Sequence, residues 1–71
     1  MTVPAPNQIA QSANATGMAA LQQGDFADAE RAFAAATMAD PSAPGLWRNL
    51  AHARRELGED AGERAALESA L

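Results

Sequence analysis

The stretch Gly24-Asp25-Phe26-Ala27-Asp28-Ala29-Glu30-Arg31-Ala32-Phe33-Ala34-Ala35-Ala36, closed by Asp40-Pro41, decides how the chain folds. Gly24 suits the left-handed position that ends a helix, because glycine lacks the Cβ that makes positive φ costly. Asp25 then offers a capping carboxylate, and Asp28 puts a second acid near the positive end of a helix running to about Ala39. Asp40-Pro41 stops that helix, since proline has no amide proton to extend the ladder.

Working outward, the same punctuation recurs on both sides. Pro4 and Pro6 favour an extended lead-in, and Asn7 stands as an N-cap before an alanine-rich helix from about Gln8 to Gln23. On the other side, Ser42 and Pro44 sit where a cap and a first-turn proline would open a third helix, from about Ala43 to Leu57. Gly58 closes it. Asp60 and Glu63, spaced as cap and third helical residue, start a fourth helix that runs to Leu71. The β-branched residues are confined to Thr2, Val3, Ile9, Thr16 and Thr37, and no stretch alternates apolar with polar residues long enough for a strand. The expected class is all-α.

The two halves also repeat each other. A shift of 34 residues places Ala13 on Trp47, Gly17 on Ala51, Gly24 on Gly58, Phe33 on Leu67 and Ala36 on Ala70, with helix phase kept at every pair. Each helical hairpin has an apolar face that it cannot bury alone, and the small residues let paired helices approach closely. Two stacked antiparallel hairpins satisfy both requirements. The expected layout is a lead-in over 1–9, one repeat over 10–43 and a second, incomplete repeat over 44–71.

These residues resemble the tetratricopeptide repeat family, whose signature joins a Trp-x-x-Leu-Gly helix to an Ala-x-x-x-Phe helix and ends in Pro. Gly17, Gly24, Phe26, Ala29, Phe33, Ala36 and Pro41 carry it in the first half, and Trp47, Leu50, Ala51, Gly58, Leu67 and Ala70 in the second. Ala13 departs from the usual large aromatic, Ala20 and Arg54 stand where Tyr is common, and Asp60 and Glu63 replace the Phe26 and Ala29 types. Arg54 can lay its aliphatic stem along the core and keep its guanidinium wet. The second half, with Glu56-Leu57-Gly58-Glu59-Asp60, also resembles the repeats that precede the catalytic domain of bacterial aspartyl/asparaginyl β-hydroxylase-like proteins. That likeness implies an accessory domain of a larger enzyme, with the iron and 2-oxoglutarate chemistry outside these residues.

Composition narrows the chemistry. The 71 residues hold nine acids against five bases, a net charge of -4, which repels nucleic acid and anionic membrane at long range. Every base is arginine, a bias of the kind seen in GC-rich bacterial genes. The first residues lack a basic region followed by an apolar one, and no apolar run approaches the roughly 18 residues of a membrane span. A cytoplasmic location is the expectation. Without cysteine there is neither a disulfide framework nor a thiol nucleophile, and His52, the single histidine, has no soft co-ligand for a metal. Ser12, Ser42 and Ser69 lack a nucleophile-elbow context, Asp25/Asp28 and Asp60/Glu63 read better as helix-start acids than as an acid and base, and the glycines form no phosphate loop. Trp47 shares a helical stripe with Leu50, Ala51 and Leu57, so packing explains it better than ligand stacking. No enzymatic activity and no cofactor are expected.

What remains is surface. Arg48, Asn49, His52, Arg55 and Glu56 share one face at helical spacing, opposite the Trp47 stripe. The family resemblance implies that the first helix of each hairpin lines a concave groove. That puts Gln11, Asn14, Ala15, Met18, Leu21 and Gln22 on one wall and Gly45, Arg48, Asn49, His52, Arg55 and Glu56 on the next. The partner-binding residues expected are therefore Gln11, Asn14, Met18, Arg48, Asn49, His52 and Arg55, and the partner is a protein or peptide. Arginines, an amide and an imidazole also suit an acidic segment or a C-terminal carboxylate, although solvated arginines are the plainer reading of Arg48 and Arg55. The apolar end, Leu67, Ala70 and Leu71, lacks the polar covering helix that closes most repeat stacks, so the expectation is either a longer protein or a last helix covered by another copy, as a homo-oligomer, or by a partner.

Overall fold

The computed structural model describes residues 2–71, and four helices account for most of them: α1 (Pro6–Gln22), α2 (Phe26–Ala39), α3 (Pro44–Glu56) and α4 (Asp60–Ser69). Among the described residues there is no strand. α1 packs on α2 and α3 on α4 as two hairpins, and α2 packs on α3 to stack one hairpin on the other. The all-α, repeat-like architecture expected from the sequence is the one observed.

The two hairpin turns are built alike. After α1, Gly24 N–H donates to Leu21 O and Asp25 N–H to Ala20 O. After α3, Gly58 N–H donates to Arg55 O and Glu59 N–H to Arg54 O. This is the helix-ending pattern that requires a left-handed residue. Gly24 and Gly58 supply it, with φ of 78° and 75°.

Helix starts differ from the sequence expectation. α1 begins at Pro6, not Gln8, because the Gln8 side chain accepts from Ala5 N–H at 3.0 Å and makes Ala5 the cap, with Asn7 already inside the helix. α4 is entered through Glu59, and Asp60 is its first helical residue. The turn at Gly58 fixes that entry, and Glu59 O accepts from Glu63 N–H at 2.8 Å. Ala43 caps α3, while the Ser42 hydroxyl donates to Asp40 Oδ1 at 2.8 Å. Asp25 holds its cap position without a side-chain hydrogen bond, and Asp28 pairs instead with Arg31 one turn on. α4 ends at Ser69, short of the expected Leu71.

The core is thin, and alanine dominates it. Ala10, Ala29, Ala36, Ala51, Ala53 and Ala66 are buried, and Phe33 and Leu50 are the large side chains enclosed completely. Alanine lets helix axes approach closely, so most burial comes from backbone proximity rather than side-chain bulk. Trp47, expected on the packing stripe with Leu50 and Ala51, is less enclosed than either. It is half-buried against the core, and its indole N–H donates to Pro41 O at 2.8 Å, fastening the turn between the hairpins.

One guanidinium ties three helices together. Arg54 Nε donates to Glu30 Oε2 of α2 at 3.2 Å, and Arg54 Nη1 to Gly62 O of α4 at 3.0 Å. A Cβ at Gly62 would come within 3.0 Å of Arg54 Cδ, so glycine there lets α4 close over the arginine stem. Glu59 borders the same cluster. Its carboxyl is raised above the ordinary 4.5 chiefly by a hydrogen bond with Glu30, then by burial and the Glu30 charge, with Arg54 opposing. The folded chain therefore holds that proton more tightly than the unfolded one. Stability from this group grows as pH falls through the raised value toward 4.5 and is absent at neutral pH. Glu59→Gln is expected to raise the urea midpoint at neutral pH, and that gain should shrink as pH falls.

Candidate functional site

Stacking the hairpins sets their first helices side by side. Asn49 Nδ2 of α3 donates to Asn14 Oδ1 of α1 at 2.7 Å, the one side-chain hydrogen bond that joins these two helices among the described residues. Both amides are half-buried. Each keeps a free edge, the NH2 of Asn14 and the carbonyl of Asn49, because a primary amide has more hydrogen-bonding capacity than one contact uses.

The other expected residues fall into two groups. Gln11, Met18, Arg48 and His52 are exposed, and Arg48 makes no ion pair among the described residues. His52 Nε2 lies 3.8 Å from Glu56 Oε1, one turn along α3. Arg55 does not join Arg48. Its Nε donates to Glu63 Oε2 at 2.6 Å, which draws the guanidinium across the turn onto α4. Of the arginine pair expected seven residues apart, only Arg48 thus stays without an ion pair among the described residues, and Glu63 spends its charge on Arg55 rather than at the helix start alone.

Two residues of this neighbourhood were not singled out from sequence as a pair. Glu30 and Arg54 are 24 positions apart, and their contact exists only because α2 and α3 stack. The signal that could have found it is charge: Arg54 sits on a stripe otherwise apolar, and a guanidinium there needs an acid on the helix it faces. Among the described residues, no group of three or more His, Cys, Asp or Glu comes together as a metal cage, and no helix is long and apolar enough to cross a membrane.

No curated protein and no solved structure matches the chain. A family profile described as Tetratricopeptide repeat matches residues 11–53, from the second turn of α1 to the last turn of α3, more than half of the sequence. Repeats of this kind generally mediate protein–protein interaction and are typically non-catalytic. With two hairpins in a 34-residue register, matching glycine-ended turns and a stacked second hairpin, the chain belongs to the tetratricopeptide repeat family.

Proposed function

We propose that the chain binds an extended segment of another protein along the face shared by α1 and α3, over Gln11, Asn14, Met18, Arg48, Asn49 and His52. The observation that carries this reading is the Asn14–Asn49 amide pair, half-buried between the helices with a donor and an acceptor to spare. A peptide unit has the complementary acceptor and donor, so a backbone laid across the pair replaces the water it displaces. Arg48 has no ion pair among the described residues and selects a carboxylate, either an acidic side chain or a free C-terminus. Arg55 plays a smaller part, because a ligand must compete with Glu63 for it.

The test uses the intact chain and a set of short peptides ending in acidic residues, each with a C-terminally amidated control. Binders are expected to shift the Asn14 and Asn49 side-chain amide signals. Arg48→Glu should weaken them by about tenfold or more while the helical spectrum is unchanged, and added salt should weaken them as well. Arg55→Gln should have the smaller effect. Binding indifferent to Arg48 and to salt would show that the face has been misassigned.

A further inference from the structure

The two ends of the α1–α3 face carry opposite charge. α1 and α3 run parallel, each antiparallel to α2, and the Asn14–Asn49 contact sets them level. α1 contributes no charged side chain. On α3, Arg48 stands toward the start and Glu56 is the last helical residue. Arg48 has no ion pair among the described residues, and Glu56 meets only the His52 imidazole, at 3.8 Å, an ion pair only while that ring is protonated.

The other charges nearby do not level this contrast. At the Glu56 end, Arg54 is held by Glu30 and Arg55 by Glu63, while Asp25 and Glu59, just past the ends of α1 and α3, are further acids. Arg64 of α4 has Asp60 and Glu68 one turn to either side on its own helix. At the Arg48 end, neither α1 nor α3 has an acid in its first turn, and Asp40, in the connection before α3, accepts from the Ser42 hydroxyl. The dipoles of the two parallel helices run the same way, positive at their starts and negative at their ends.

Spacing sets what can bridge the two ends. Eight residues of helix put Arg48 and Glu56 about 12 Å apart along the axis. An extended chain rises about 3.3 Å per residue, so four residues span about 13 Å, and the even count keeps both side chains on one side. The residue midway falls at the level of His52 and of Met18, one turn beyond Asn14, and Met18 is an exposed apolar side chain. We propose that this face selects an extended segment of mixed charge, with a carboxylate on Arg48, an apolar side chain over Met18 and a cation on Glu56, each two residues from the next. The inference rests on the α1–α3 face being the binding face, and it narrows the partner. A run of acids is the poorer ligand, because its second carboxylate meets Glu56.

The probes are capped heptapeptides with threonine spacers, leucine at the centre and a charged residue two positions to either side. Two of them carry aspartate and lysine, one in each order, and the controls carry two aspartates or two lysines. Titrated into the intact, isotope-labelled chain at pH 8, where an ordinary imidazole is uncharged, the better mixed order should bind about two- to fivefold more tightly than either control. It should shift the Asn14 and Asn49 side-chain amides and the Met18 methyl. Glu56→Lys, at an exposed helix end that favours a cation, should remove the advantage over two aspartates, and Arg48→Glu the advantage over two lysines, both with the helical spectrum unchanged. Mixed peptides that shift those amides yet bind no better than two aspartates would overturn the proposal and leave the binding face standing. An advantage untouched by Glu56→Lys would do the same. If no peptide moves Asn14 or Asn49, the face itself is misassigned and the proposal falls with it.

Discussion

Phe33→Ala is expected to leave the chain largely unfolded at room temperature. Phe33 is fully buried and, with Leu50, is one of the two large side chains the core encloses completely. Removing a buried aromatic ring costs about 3 to 5 kcal/mol. A single core in a chain of this size rarely supplies more than about 3 to 5 kcal/mol in total. The two quantities are comparable, so the variant should show a largely disordered circular dichroism spectrum and no cooperative urea transition. A transition close to that of the parent would mean that the hairpins do not close on this ring.

The second large effect is expected from the opposite error, too much volume. A Cβ at Gly17 would lie 2.5 Å from Phe33 Cε1 and 2.6 Å from Cδ1, well inside contact distance with a ring that has no room to retreat. Gly17→Ala should therefore destabilise by about 1 to 3 kcal/mol, although alanine is the better helix former at an ordinary position. The second repeat suggests the rescue, since it holds Ala51 and Leu67 where the first holds Gly17 and Phe33. The double variant Gly17→Ala/Phe33→Leu should be more stable than the sum of the single losses by about 0.5 to 3 kcal/mol, the range expected of residues in contact. Additive losses in urea titrations would show that the pair does not exchange volume in this way.

The register of 34 residues was legible because its markers act locally. Gly24 and Gly58 are read from the backbone conformation that a helix end demands, and Phe33 from its place among alanines at helical spacing. Helix starts were less legible. Asn7, Ser42 and Asp60 have capping side chains, yet Ala5, Ala43 and Glu59 hold the cap positions, because Gln8, Pro44 and the turn at Gly58 set the chain's entry. The candidate face was legible as a set of residues on one side of a helix. Which of them meet was not. Asn14 and Asn49 come together only when the hairpins stack, and Arg55 is drawn away by Glu63 across a turn that a helical wheel does not represent. Arg54 was read as a stem on the core with a wet head, and it is additionally the clasp between α2 and α4. The likeness to hydroxylase-associated repeats rests on the second half's composition around Glu56-Leu57-Gly58-Glu59-Asp60, a segment that any helix ending in a glycine turn with acids beyond it can share.

The claim on which the rest depends is that stacking in this register turns α1 and α3 into one continuous face. The nuclear Overhauser effect between the side-chain amide protons of Asn49 and the Asn14 side chain measures it most directly, since the two amides are 35 residues apart and 2.7 Å from each other between heavy atoms. The account predicts a clear cross-peak between them in the intact chain, retained in Arg48→Glu. Four intact helices without that cross-peak would contradict it, because the hairpins would then form without aligning the face proposed to bind a partner.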